Sequence, residues 1–144
     1  FLAMPDADYI RDLFAARAAI EPAAVRWGAF PDAPSLVTLT SSAFDYAARG
    51  EHQEVSAINQ RFHRTLVAAL GSPTLNEQMD NLLARMRLTF LLAIPRYPQL
   101  HADHIQGNIT LATLIADGKR REAATLAHDS LMNTCEKILA VLDD

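Results

Sequence analysis

The sequence predicts an all-α fold, an antiparallel bundle of six to seven helices. Apolar residues recur at intervals of three and four between clusters of proline and glycine, and the alternation typical of strands is nowhere sustained. The connections between the periodic segments are short, which favours antiparallel neighbours. With 144 residues, 50% of them hydrophobic, the chain can form one core, so residues 1–144 are expected to be a single domain.

The breaks in the pattern divide the chain into six helices. They are predicted at residues 6–29, 34–49, 52–70, 73–94, 99–116 and 119–142. Gly71 suits the end of the third helix, and Ser72 or Thr74 can cap the fourth. Each of four helices carries an apolar stripe that is expected to face a common core: Ile10, Leu13, Phe14, Ile20 and Ala24 on the first; Val55, Ile58, Phe62, Leu66 and Leu70 on the third; Leu75, Met79, Leu82, Met86 and Phe90 on the fourth; Ala124, Leu131, Cys135, Ile138 and Leu142 on the sixth.

Composition excludes several classes of protein. The 13 basic and 17 acidic side chains give a net charge of −4, so this chain is not expected to attract a phosphate backbone by itself. No apolar run reaches the ~20 residues of a membrane span. The one cysteine, Cys135, excludes an internal disulfide, is expected to be a buried thiol, and fits a cytoplasmic location. The first residue is not methionine, which suggests a chain trimmed from a longer protein.

Polar residues on the apolar stripes are the candidate functional residues, because a buried polar group is costly unless it is satisfied. Asn59 and His63 lie four residues apart on one face of the third helix, and His128 is expected to face inward from the sixth. Two inward imidazoles and an amide oxygen are part of the ligand set of a metal site, and imidazole ligands suit Zn, Ni, Cu or Fe. The alternative is that these are satisfied core or surface histidines.

The fifth helix offers a further ligand, but its identity is open from the residues alone. His104 shares a face with Asn108, whereas Gln106 points about 200° away from His104 at ~100° per residue. The two side chains therefore cannot face the same cavity in a regular helix. Gly107 would allow a local irregularity.

Two arginines also fall on inward positions. Arg17 lies on the stripe of the first helix, and Arg85 lies one turn after Leu82. A planar guanidinium that faces a cavity is suited to bidentate capture of a carboxylate. The alternatives are an internal pair between Arg17 and Glu21 at i+4, and a solvated helix face for Arg85.

Three segments resemble the C-terminal effector-binding domain of GntR-family transcription regulators of the FadR type. They are DLFAARAAIEPAAVRWGA in the first helix, INQRFHRTLVAALGSPTLNEQMDNLL across the third and fourth, and LIADGKRREAATLAHDSL near the end. The middle segment is the most specific, since Asn59 precedes the histidine of a Phe-His pair by four residues. In the last, Asp117 precedes His128 by eleven, as in the family pattern.

The resemblance implies a homodimer that binds a small carboxylate effector in the bundle and controls a winged helix-turn-helix domain, which is not among these residues. The regulator would contact DNA only through the winged helix-turn-helix domain, and it would not contact a membrane. The resemblance also implies one divalent metal, Zn or Ni, held by Asn59, His63, His128 and a third histidine. Gln106 stands where that histidine is expected, so either His104 replaces it or the metal is absent. Arg17 and Arg85 would then contact the effector with Asn59, His63 and His128.

An enzyme is not expected, although a small all-α enzyme acting on a carboxylate is the main alternative. Against an enzyme, no nucleophile lies beside an obvious base, and the Glu-x-x-His spacing of di-iron bundles is missing. A structural dimerisation module with a filled core is a second alternative. The sensor and the structural module can be distinguished by one feature. A sensor requires a cavity lined with polar groups, whereas a structural module requires none.

Overall fold

The computed structural model describes residues 5–143 of the chain. In this part the chain forms seven α-helices and one short 3-10 helix, with no strand. The α-helices are α1 (Ala7–Trp27), α2 (Ala33–Ser41), α3 (Ala43–Ala48), α4 (His52–Ala68), α5 (Pro73–Ala93), α6 (Leu100–Ala116) and α7 (Arg120–Leu142). The 3-10 helix, Ile94–Arg96, follows α5 directly. The predicted all-α bundle of six to seven helices is confirmed.

The helix predicted over residues 34–49 is two helices in the structure. The backbone turns at Ser42, where the side chains of Thr40 and Ser42 donate hydrogen bonds to the carbonyls of Leu36 and Leu39. Such back-bonding competes with the regular helical pattern and bends helices, which accounts for the break. The break brings α3 against α4 and α6.

Capping fixes the ends of several helices. The Asp6 side chain accepts a hydrogen bond of 2.8 Å from the amide of Tyr9 at the start of α1, and Ser72 accepts one of 3.2 Å from the amide of Leu75 at the start of α5. These bonds satisfy amides that have no partner within the helix. Gly71, with φ of +69°, allows the tight turn between α4 and α5.

The first and last helices form the most extensive pair in the bundle. Ile10 near the start of α1 packs in one cluster with Ile138 near the end of α7, whereas Val25 near the end of α1 packs with Ala123 near the start of α7. The two helices are therefore antiparallel. The Arg120 guanidinium adds hydrogen bonds to the carbonyls of Val25 and Gly28, and so ties the start of α7 to the end of α1.

The predicted core stripes are largely buried. All the stripe positions of α1 except the partly exposed Ile20 are inaccessible, as are Val55, Phe62 and Leu66 on α4. The Cys135 thiol is buried in the cluster between α1 and α7, as expected. Among residues 5–143, none of the helices combines the length and the hydropathy that a membrane span requires.

Candidate functional site

The bundle contains a cavity of about 470 Å³, called here the large cavity, between α3, α4, α5 and α6. Its lining is mostly apolar and includes Val55, Ile58, Met86, Phe90 and Ile105. The volume falls within the range of small-molecule sites, which enclose roughly 300–1,000 Å³. A structural module with a filled core does not account for a cavity of this size.

A second cavity of about 180 Å³, the small cavity, lies between α1, α6 and α7. Arg17, Glu21 and His63 line it and do not line the large cavity. His104 and Asn108, one turn apart on α6, line both cavities. This face of α6 is therefore part of the wall between the two cavities.

Three charged or titratable side chains form a buried cluster beside the small cavity. The Arg17 Nε donates to Glu21 Oε2 at 2.6 Å, and Glu21 Oε1 lies 2.5 Å from His63 Nδ1. Arg17 and Glu21 are each 1% exposed. Arg17 and Glu21 lie four residues apart on α1, so the helix brings them together, and the packing of α4 on α1 adds His63.

The Glu21 carboxylate remains charged in this apolar setting. Burial alone would raise its pKa, but the charges of Arg17 and His63 and the hydrogen bonds from both outweigh burial and lower the pKa to about 2. Arg17 therefore has its counter-ion inside the protein. The internal Arg17–Glu21 pair left open by the sequence is present.

Asn59 on α4 and Asn108 on α6 form a side-chain hydrogen bond with each other. The Asn108 Nδ2 donates to Asn59 Oδ1 at 2.7 Å, and both residues line the large cavity. The Asn59 oxygen expected to bind a metal thus accepts a hydrogen bond from an amide of the protein. The sequence shows that Asn108 shares a face with His104, but not that it meets Asn59.

His104 is the least satisfied polar residue of the site. Its Nε2 is buried, and no hydrogen-bond partner for it lies within residues 5–143. Its ring packs edge-on against Phe90, with centroids 5.2 Å apart. Burial, with smaller contributions from His63 and Arg17, lowers the pKa of His104 to about 3, so the ring is neutral at pH 7.

The predicted inward orientation of His128 is wrong. Its side chain is 54% exposed and lies 3.1 Å from Asp129 at the surface. The inward positions of α7 are Ala123, Ala127 and Leu131, so His128 is one residue, about 100°, past the buried stripe. Asp117, eleven residues before His128, is the C-cap of α6.

Gln106 also faces solvent, where its side chain lies 3.4 Å from the hydroxyl of Thr110. This position agrees with the angle of about 200° that separates it from His104. Helix α6 is regular through Gly107, so no irregularity turns Gln106 inward.

The four ligands carried over from the family do not assemble into a metal site. His128 and Gln106 are exposed, and Asn59 is bonded to Asn108. Among the described residues there is no group of three or more histidine, cysteine, aspartate and glutamate side chains that could hold an ion. His104 does line the cavities, but it and His63 supply only two imidazoles. The residues present therefore do not fit a four-ligand Zn or Ni centre.

The two arginines expected to contact an effector are engaged elsewhere. Arg17 is bonded to Glu21, as described. The Arg85 Nε donates to the hydroxyl of Tyr9 at 3.2 Å, its guanidinium lies 5.0 Å from the centre of the Tyr9 ring, and it lines neither cavity. Arg87, two residues later, does line the large cavity. No feature of the sequence favours Arg87 over Arg85 as the residue that lines the cavity.

A stacked pair of histidines was also not predicted. The rings of His52 at the start of α4 and His101 at the start of α6 lie 5.4 Å apart at an angle of 17°, and both line the large cavity. Burial and the neighbouring His52 lower the pKa of His101. The two residues are 49 positions apart in the chain, so no local pattern reports their contact.

Comparison with known proteins agrees with this architecture. A crystal structure of a protein described as a transcriptional regulator GntR, from Rhodococcus sp. RHA1, superposes with a TM-score of 0.82 at 22% sequence identity. The match covers 97% of this chain and 68% of that one. No curated protein matches the sequence significantly.

The family comparison covers most of the chain. The model of the FCD domain matches residues 12–133, which include Arg17, Glu21 and His63 of the buried cluster and every residue that lines the large cavity. The match therefore spans the helices that build the site. The chain belongs to the FCD domain family.

Proposed function

We propose that this chain is the effector-binding domain of a GntR-type transcription regulator and that its effector binds in the large cavity. The observation that carries the proposal is a cavity of about 470 Å³, lined by Asn59, His104 and Asn108 as well as by apolar side chains, inside an FCD domain. Apolar lining with a few polar groups is the usual character of a small-molecule site.

The remainder of the regulator would lie outside this chain. The match to the Rhodococcus structure leaves about a third of that protein uncovered. The net charge of −4 gives this chain no general attraction for DNA, so DNA would be contacted by a winged helix-turn-helix domain elsewhere in the protein. A homodimer in the cytoplasm is part of the same proposal.

The effector is proposed to be a small organic acid. The structure does not offer the metal, Arg17 or Arg85 for the carboxylate, because the metal ligands do not assemble and both arginines are engaged by protein groups. Arg87 is the candidate that lines the cavity. Its Nη2 donates to Gln60 Oε1 at 3.2 Å on the exposed side.

Binding would act through the helices that surround the large cavity. A ligand that contacts α4, α5 and α6 together favours the arrangement in which they close on it. If the two protomers of a dimer can be arranged in two ways, the ligand binds one dimer arrangement more tightly than the other. The equilibrium then shifts towards that arrangement, which changes DNA binding.

A ligand screen with a matched pair of variants tests this function. Organic acids, both short and long, are scored by the shift in melting temperature of the protein and of two variants on α4, Ser56→Phe, which fills the large cavity, and Thr65→Phe, which is exposed and does not line it. An effector should stabilise the protein and Thr65→Phe but not Ser56→Phe. If no acid stabilises the protein, the proposal of an organic-acid sensor is wrong.

The enzyme alternative receives no support from the cysteine. Burial raises the pKa of the Cys135 thiol, which disfavours the reactive thiolate, and the residue packs in the core rather than in a cavity. We therefore propose that the domain binds its ligand without transforming it. Recovery of an unchanged ligand after prolonged incubation would support this, and turnover would refute it.

A further inference from the structure

We propose that the effector is a predominantly apolar acid, of medium chain length or with an aromatic body, which places an uncharged hydrogen-bonding group against His104 and its carboxylate at Arg87. This inference rests on the proposed function and specifies the class of ligand. It concerns three parts of the large cavity, namely its apolar walls, its inner polar group and its charged group.

The walls of the cavity favour an apolar ligand. Apolar side chains from α4, α5, α6 and the 3-10 helix supply most of the lining, including Val55, Ile58, Phe90, Ile94 and Leu100. A volume of about 470 Å³ corresponds to roughly 15 water molecules at ~30 Å³ each. An acid of two to four carbons would leave most of this apolar space filled by water, whereas a longer body would remove the apolar walls from water at ~25 cal/mol per Å².

The inner polar group is His104 because its Nε2 lacks a partner in the described protein. A buried polar atom without a hydrogen bond is costly, and a ligand that reaches Nε2, with a small turn of the ring because this atom has almost no accessible surface, recovers that cost on binding. Asn59 and Asn108 lie nearby in the lining but already bond to each other. A hydroxyl or carbonyl fits this buried position better than a second anion, because an ion buried without a counter-ion is costly.

The charged group is Arg87. Of the described residues that line the large cavity, Arg87 is the one with a permanent charge. It is exposed, and its guanidinium donates a hydrogen bond to the neutral Gln60 rather than to a carboxylate. A carboxylate there keeps partial contact with water and gains a guanidinium partner, so it avoids the cost of burying an ion.

The test measures dissociation constants by calorimetry for two matched series of probes. One is the straight-chain monocarboxylates from acetate to decanoate, and the other is the same acids with a terminal hydroxyl. We expect affinity to increase with chain length, and the terminal hydroxyl to strengthen binding about five- to ten-fold at the best length. Equal affinity for acetate and the longer acids, or no gain from the hydroxyl at any length, would overturn the proposal.

Three variants assign the two ends of the ligand. His104→Leu should remove the gain from the hydroxyl without lowering the melting temperature, because the replaced ring nitrogen has no partner to lose. Arg87→Gln should weaken acids about ten-fold but leave the binding of a primary alcohol of equal length unchanged. Arg85→Gln is the matched control, since Arg85 lies on the same helix and outside both cavities. An equal loss in both arginine variants would contradict the assignment of the carboxylate.

The experiment separates this inference from the function on which it rests. If only short polar acids bind, and Ser56→Phe abolishes that binding, the sensor remains and the ligand class proposed here is wrong. If no acid of either series binds and the wider screen also finds none, both proposals fail.

Discussion

Glu21 determines how Arg17 and His63 are held in the core. The carboxylate contacts the arginine at 2.6 Å and the imidazole at 2.5 Å, and all three side chains are buried. A buried ion pair as a whole contributes little net stability, because desolvation of the two charges offsets their attraction. Removing one partner is nevertheless costly, because the other charge is then buried without a counter-ion. The packing of α1 against α4 at this cluster therefore depends on the Glu21 carboxylate, which contacts side chains of both helices.

We predict that Glu21→Gln lowers the free energy of unfolding by about 3–5 kcal/mol, because Arg17 then remains buried without a counter-ion. Denaturant-induced unfolding followed by circular dichroism measures the change. Glu51→Gln is the control, since it breaks the exposed pair with Arg49 and should change stability little. An equally small change in both variants would contradict the role assigned to Glu21.

His104 should make stability depend on pH. In the folded protein the pKa of His104 is lowered from 6.5 to about 3, so below about pH 6.5 the unfolded chain binds a proton that the folded protein does not. Stability is therefore fully present above that pH and falls as the pH decreases towards 3. Glu21 titrates only near pH 2 in the folded protein and leaves the upper part of this range clear.

The measurement is the free energy of unfolding from pH 7.5 to 5 for the protein and for His104→Leu. We expect the variant to show a smaller loss of stability across this interval, and the difference between the two curves isolates His104 from the other histidines. Parallel curves would show that His104 does not remain neutral in the folded protein.

At the scale of the helix, two glycines have opposite roles. Gly28 lies where α1 meets the end of α4, and an added Cβ would lie 2.5 Å from the carbonyl oxygen of Ala24 and 2.7 Å from the Cβ of Ala69. Gly107 lies inside α6, and an added Cβ would meet nothing within 4 Å. The first glycine permits a close approach, whereas the second only weakens its helix.

We predict that Gly28→Ala destabilises the protein by about 1–3 kcal/mol, through the clashes with the Ala24 carbonyl and with Ala69, and that Gly107→Ala stabilises it by about 0.5–1 kcal/mol, through higher helix propensity. Thermal unfolding of both variants checks the two signs in one experiment. Destabilisation by Gly107→Ala would show that α6 requires freedom at this position.

Helix periodicity predicted the buried faces of α1 and α4 because large apolar residues such as Phe14 and Phe62 define them. It misplaced His128 because the start of α7 is rich in alanine, so positions 123 and 124 were equally plausible as the buried one. Only packing showed that Ala123 is buried. Contacts such as His63 with Glu21, 42 residues apart, depend on how helices pair and leave no local signal.

For the molecule as a whole, the mismatch of the metal ligands leads to a prediction. The protein should contain no stoichiometric Zn or Ni, because two of the expected ligands face solvent and a third is bonded to another side chain. Treatment with a chelator should leave the melting temperature unchanged. Elemental analysis and melting curves before and after treatment test this, and about one ion per chain together with a lower melting temperature on its removal would contradict it.

The pairing of α1 with α7 has a consequence for how the protein folds. The hydrogen bonds from Arg120 to Val25 and Gly28 join residues more than 90 positions apart, and the cluster around Ile10 and Ile138 joins the two ends of the described chain. Contacts so distant in sequence raise the contact order above that of a bundle built from neighbouring helices, which slows folding. During synthesis the most extensive contact of α1, that with α7, therefore forms only after α7 has emerged from the ribosome, whereas its contacts with α4 and α5 can form earlier.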